Sequence, residues 1–261
     1  MKRLILLSMM VTASHLSAFA QPALTTSQIQ AVLSHQDRPV DDSKRDQARQ
    51  PAKILAFSNV AKGDHVLDIF AGGGWYSELF AKSVGDAGKV YAQNDQVIWR
   101  FAEKPITERT KNKRLNNVVR FDNMPIVDMT IPDASLDIVF TALNYHDLFF
   151  THSNRDGKEV QLRDGIVDYK AALAMIKKAL KDDGVFIIID HAAKHGSGYD
   201  IANTLHRIDQ NIVKFQMQEA GFSLIEEAFY LRNPKDDLAT NVFAPDTRGK
   251  TDRFILKFAK K

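Results

Sequence analysis

Three consecutive glycines, Gly72, Gly73 and Gly74, lie between an apolar run, His65 to Phe70, and a stretch with helix-like apolar spacing, Trp75 to Ala81. One acid, Asp68, stands near the end of the apolar run. A glycine turn between a buried strand and a helix brings backbone N–H groups and the positive helix end against an anion or a nucleotide-like ligand. Glycine suits the turn because it accepts positive φ and has no Cβ to stand in a ligand's way. A dinucleotide fingerprint would require G-x-G-x-x-G. Ser77 occupies the last of those positions, so that match is incomplete.

The elements that must carry this turn alternate strand and helix. The run His65 to Phe70 reads as a parallel strand buried on both faces. Lys89 to Asn94, Asn117 to Phe121 and Ser135 to Ala142 read as three more strands, and Val185 to Asp190 as a central fifth. Helices are expected over Ala23 to Gln36, capped by Thr26 or Ser27, and over Ala52 to Val60 behind Pro51. Three more are expected: Gln96 to about Lys104, stopping near Pro105; Ile166 to Leu180, closed by Gly184; and Arg207 to Ala220, closed by Gly221. Ser223 to Leu231 and Thr251 to Ala259 read as paired strands joined by a polar loop. No crossover helix precedes the last, so it should run antiparallel. Residues 148 to 165 are polar after Phe150 and long enough for an active-site loop. The result is an α/β chain with a seven-stranded, mostly parallel sheet, helices on both faces and an antiparallel last strand.

The first twenty residues are set aside from the fold. Lys2 and Arg3, the apolar run Leu4 to Thr12 and the A-x-A site Ala18-Phe19-Ala20 have the form of a cleavable signal peptide, cut after Ala20. The apolar run is too short to span a bilayer comfortably, so no stable membrane insertion is expected after cleavage. Lys2 and Arg3 leave with it, and the formal net charge of +3 falls to near neutral, which offers no electrostatic footprint for nucleic acid. The chain has no cysteine, hence no disulfide framework. These features predict a periplasmic or secreted protein. Three parts follow: a signal peptide over 1–20, an N-terminal helical segment or lid over 21–60, and the main domain over 61–261.

The turn also resembles motif I of the class I S-adenosylmethionine-dependent methyltransferases, D-x-G-x-G-x-G. Asp68, Gly72 and Gly74 fall in place, with Phe70 where the first glycine usually stands. Further residues extend the likeness: Gly72-Gly73-Gly74-Trp75-Tyr76, His206-Arg207-Ile208-Asp209, Ala220-Gly221-Phe222 and Arg248 to Phe254, with Arg38-Pro39 and Arg45-Asp46. Almost the whole chain after the leader resembles a group of exported, periplasmic methyltransferase-like proteins. The resemblance implies the Rossmann-like class I methyltransferase fold and S-adenosylmethionine as cofactor. It also implies methyl transfer to a small-molecule or envelope acceptor that it does not identify. The cofactor contacts it implies are Asp68, Ala71, Gly72, Gly73 and Gly74 at the turn and Asn94 where an acid usually takes the ribose hydroxyls, with Asp95 beside it. Asp122, facing the adenine amino group, and Asn144 complete the set.

Methyl transfer needs alignment of donor and acceptor, and a base where the acceptor is a hydroxyl or ammonium. Ligands of such sheets bind at the carboxyl ends of the strands. There His146 and His191 are the candidate bases, with Tyr145 as a wall or hydrogen-bond donor. His206 and Arg207 could reach the same rim, and Arg248, Lys250 and Arg253 could bind an anionic acceptor. No metal is expected. Asp147, Asp190 and Asn144 could offer oxygens, but Asp190-His191 is not an acid–amide pair, and His152 and His195 form no zinc spacing. A competing expectation is an exported binding protein that uses the pocket for an adenosine-like or anionic ligand. A nicotinamide-dependent oxidoreductase is disfavoured by Ser77 and by the paired C-terminal strands.

Overall fold

A computed structural model describes residues 21–155 and 157–261; the leader expected over 1–20 lies outside the described residues. Thr25 caps the first helix, α1 (Thr26–Leu33), and shares a capping box with Gln28, one residue earlier than the caps expected. Three short helices follow: α2 (Val40–Ser43), α3 (Asp46–Arg49) and α4 (Pro51–Ser58), the last with Pro51 in its first turn. Ile29 and Val32 of α1 and Ile54 and Leu55 of α4 belong to the same apolar core as the first sheet helix. Residues 21–60 therefore share a core with the domain they precede.

The sheet begins with β1 (His65–Ile69), α5 (Trp75–Val84), β2 (Lys89–Asn94), α6 (Gln96–Thr110), β3 (Val118–Asp122) and β4 (Leu136–Ala142). A two-stranded hairpin, β5 (His152–Arg155) and β6 (Lys158–Gln161), occupies the segment read as irregular. Its strands, HSNR and KEVQ, carry almost no apolar alternation and so give no strand signal in sequence. Then come α7 (Tyr169–Ala179), β7 (Leu180–His191), α8 (Ile201–Leu205), α9 (Gln210–Glu219), β8 (Phe222–Ala228) and β9 (Arg253–Lys260). The seven-stranded sheet has the order β3-β2-β1-β4-β7-β9-β8, parallel except for β9, which runs antiparallel to both neighbours. Successive residues of each central strand face opposite cores. Leu67 and Ile69 pack on one side and Val66 on the other; Phe186 and Ile188 alternate with Ile187 and Ile189. This two-sided burial is why the strands read as mostly apolar runs rather than as alternating ones. The order reverses between β1 and β4, the switch point where such sheets open a crevice at the strand carboxyl ends.

Three boundaries differ from expectation. Helix α6 runs through Pro105 to Thr110. Its buried stripe, Val97, Ile98, Ala102 and Ile106, continues across the proline, and that packing outweighs the roughly 3 kcal/mol a mid-helix proline costs. Gly184 is not a helix cap but lies inside β7, where a Cβ would sit 2.9 Å from the Leu136 carbonyl oxygen. The helix expected from Arg207 begins only at Gln210, because Asp209 caps it through the Asn211 N–H. Arg207 instead is fully buried. It forms a two-pronged ion pair with Asp236 at 2.8 and 2.9 Å and donates to the carbonyls of Ala192 and Thr240. It pins the loop before β9 and does not reach the rim.

Candidate active site

The turn after β1 alternates left-handed residues: Phe70 at φ +52°, Gly72 at +57° and Gly74 at +75°. Phe70 thus takes a left-handed conformation that favours glycine, the residue usual at its place in the resembled motif. The strain is held by two hydrogen bonds, Phe70 N–H to Gln93 Oε1 at 3.1 Å and Ala71 N–H to the Gln93 carbonyl at 2.9 Å. Below the turn, Asp68 accepts 2.6 Å from the hydroxyl of Ser77, the residue that breaks the dinucleotide pattern. Burial outweighs that hydrogen bond and pushes the Asp68 carboxyl up to about 7. A Cβ on Gly72 would meet nothing within 4 Å, so this side of the turn faces open space; on Gly73 it would press into Pro105.

Asn94, fully buried at the end of β2, closes on the turn itself. Its Oδ1 accepts from Gly72 N–H at 2.8 Å and its Nδ2 donates to the Gly72 carbonyl at 3.1 Å. An amide does both and a carboxylate cannot. Asn94→Asp is therefore expected to lower stability by about 1–3 kcal/mol in urea unfolding, because it sets an anion against the Gly72 carbonyl. An unchanged or raised stability would mean that this side chain is free to face a ligand. Asp95 caps α6 through Val97 and Ile98 N–H, and its other oxygen pairs with Arg163 at 2.8 Å. Asp122, half-buried at the end of β3, is gripped by Arg120 at 2.5 and 3.0 Å.

A strap that the sequence did not reveal fastens the N-terminal segment over this turn. Arg109 of α6 donates to the Gly73 carbonyl and to both carboxylate oxygens of Asp42, and also pairs with Glu78 of α5. Arg114 takes both Glu78 oxygens at 2.6 Å, and the Trp75 indole N–H donates to the Asp42 carbonyl. The partners are 31 to 67 residues apart. No local pattern could have paired them.

The other half of the site lies at the ends of β4 and β7. Leu143 takes φ +66° to leave β4, and Asn144 donates to Asp147 at 2.7 Å. His146 is buried with Nδ1 at 2.9 Å from Asp190, whose carboxylate also accepts the His146 backbone N–H at 2.7 Å. Burial alone would disfavour a charged ring, but Asp190 and Asp147 outweigh it and push His146 up to about 9. His146 is thus an imidazolium at neutral pH. His191 and His206 stand beside it, ring centres 6.2 and 5.5 Å away. Burial and that neighbouring charge hold both below their ordinary range, His206 at about 3. His191 alone of the three lines an open cleft, where its Nδ1 is 2.6 Å from the Thr251 hydroxyl. Tyr145 turns into the core and donates to Gln216 at 2.8 Å, away from that cleft.

His146, Asp147 and His206 bring ligand atoms within 4.8 Å of one another, the one such set among the described residues. Its first member is already hydrogen-bonded at Nδ1 and carries positive charge.

No family model matches the chain, and no curated protein matches it. Solved structures do. An S-adenosylmethionine-dependent methyltransferase from Aquifex aeolicus superposes on 91% of this chain and 100% of its own, with a TM-score of 0.57 at 19% identity. Another from Mesorhizobium loti covers 83% of this chain and 100% of its own, with a TM-score of 0.56 at 10% identity. At such identities the likeness is one of fold, and the fold is the Rossmann-like class I methyltransferase fold with its antiparallel last strand.

Proposed function

We propose that this chain catalyses methyl transfer from S-adenosylmethionine to a small-molecule or envelope acceptor, after export directed by residues 1–20. The observation that carries this reading is the glycine turn at the switch point of the sheet, with Gly72 open to the crevice and no Cβ to block a ligand. That opening fits the cofactor. The residues that would hold it are Ala71 and Gly72 at the turn, with Asp122 and Asn144 at neighbouring strand ends. The ribose contact departs from the usual one, since Asn94 and Asp95 are already engaged.

The bound cofactor supplies an electrophilic methyl group on a sulfonium centre. The chain supplies alignment, shelter from water and a base. His191 is the base this reading assigns. When its Nδ1–H donates to Thr251 Oγ1, Nε2 is free of a proton and can take one from the acceptor. The buried His146–Asp190 pair behind it is a positioning element, and its positive charge helps keep His191 neutral. Tyr145 braces the same turn from the core side through Gln216.

Titration with S-adenosylmethionine and its demethylated product, followed by calorimetry and by the fluorescence of buried Trp75, tests the reading. Micromolar binding is expected, and His191→Phe should keep it while losing methylation of acceptors found in envelope extracts. Absence of binding up to millimolar cofactor would overturn the methyltransferase reading. Export predicts that the mature protein recovered from its host begins at Gln21.

A further inference from the structure

The cleft beside His191 has a volume of about 340 Å³ and runs between α2–α3 and the segment entering β9. Five cations line it, Lys44, Arg45, Arg49, Arg248 and Arg253, and no acid does. A second cleft of about 500 Å³ shares Lys44, Arg248 and Arg253 and adds Arg232 and Lys250, again with no acid. The two share these walls and together make a cationic channel. Lys44 pairs with Asp41 and Arg232 with Asp252, both outside the lining. Among the described residues the other five cations have no carboxylate partner.

Two of these arginines are set into the wall rather than waving in solvent. Arg253 is only 7% exposed, and its Nε has no hydrogen-bond partner. Arg49 lies over the Trp75 ring at 4.8 Å and the Tyr76 ring at 5.6 Å, which fixes its guanidinium without neutralising it. Burial lowers the proton affinity of both, and Arg49 adds to the effect on Arg253. Arginines in native structures that lack water are normally paired. Among the described residues these two are not. A single carboxylate, such as the amino-acid end of the cofactor, is served by one guanidinium fork. A channel of five unpaired cations calls for more.

We propose that this channel binds the acceptor, a small molecule carrying at least two anionic groups, phosphoryl or carboxylate, held by Arg49, Arg248 and Arg253 with its nucleophile toward His191. The assignment of this anion as acceptor rests on the methyltransferase reading; the anion site itself does not.

Calorimetry at constant ionic strength with pyrophosphate, citrate and acetate tests it on the whole protein. Pyrophosphate or citrate should bind at least about tenfold more tightly than acetate, and Arg253→Gln and Arg248→Gln should each weaken that binding about tenfold. The order of pyrophosphate and citrate assigns phosphoryl or carboxylate chemistry. Affinity for the demethylated cofactor should be unchanged in both variants. Arg248 is exposed, so its variant folds even if that of Arg253 does not. No binding of any multivalent anion at millimolar concentration, or binding that Arg248→Gln leaves intact, overturns the proposal. Anion binding without cofactor binding upholds the site and removes the methyltransferase reading instead.

Discussion

In a Gly72→Val protein, binding of S-adenosylmethionine is expected to fall by at least about a hundredfold while the fold survives. Gly72 has φ +57° and nothing within 4 Å of where its Cβ would lie. The valine Cβ therefore meets no protein atom beyond its chain neighbours, and the side chain projects into the space that the methyltransferase reading gives the cofactor. The backbone cost of a left-handed, non-glycine residue is about 1–2 kcal/mol, which a domain of ordinary stability tolerates. Gly63→Val is the matching control. Gly63 also has a positive φ, +86°, and open space around its Cβ, but it precedes β1 at the amino end of the strand. Both variants should lose similar stability in urea unfolding, and only Gly72→Val should lose the cofactor in calorimetry. Equal cofactor affinity in the two would place the ligand elsewhere than on this turn.

Glu78→Ala is expected to destabilise the protein by about 3 kcal/mol or more. Glu78 is 1% exposed and holds Arg109 and Arg114 at once. Removing it leaves two largely desolvated guanidinium groups facing each other, with Asp42 alone to balance them. Truncating one side of a buried charge network costs more than the pairing contributes, because the charges left behind cannot reach water. The exposed pair Lys44–Asp41 gives the contrast: Asp41→Ala should leave the unfolding curve essentially where it is. Because Arg109 ties Asp42 to the Gly73 carbonyl, Glu78→Ala should also open residues 38–50 to proteolysis and change Trp75 fluorescence. A melting curve within about 1 kcal/mol of the parent would mean that the arginines find water without unfolding the strap.

The same contrast separates what was legible in the chain from what was not. Strands buried on both faces are apolar over most of their central positions, so Val66-Leu67, Ile138 to Phe140 and Val185 to Ile189 stand out in β1, β4 and β7, and with them the parallel sheet. The glycine turn reads from its residue types, because few side chains tolerate three positive φ angles in five residues. The missing crossover helix before β9 predicts its antiparallel course. These are local properties, written by steric and solvation rules that act within a few residues.

The division of labour within the site is not local. Asn94 stands where the resemblance to class I methyltransferases implies a ribose contact, yet its amide closes on Gly72, because strand β2 ends beside the turn and an amide matches both backbone groups there. His146 and His191 look equivalent in sequence. Tertiary packing buries one on Asp190 as a cation and leaves the other neutral at the cleft. Arg207, opening an expected helix, and Arg253, near the start of an expected strand, both read as cations near the rim. One is paired with Asp236 in the interior, and the other faces the cationic channel without a partner. By itself the sequence determines the strand runs, the turn and the sheet they form. The charge state and exposure of each polar group are decided by which distant segments pack against it, since desolvation and Coulomb energy depend on neighbours in space rather than along the chain.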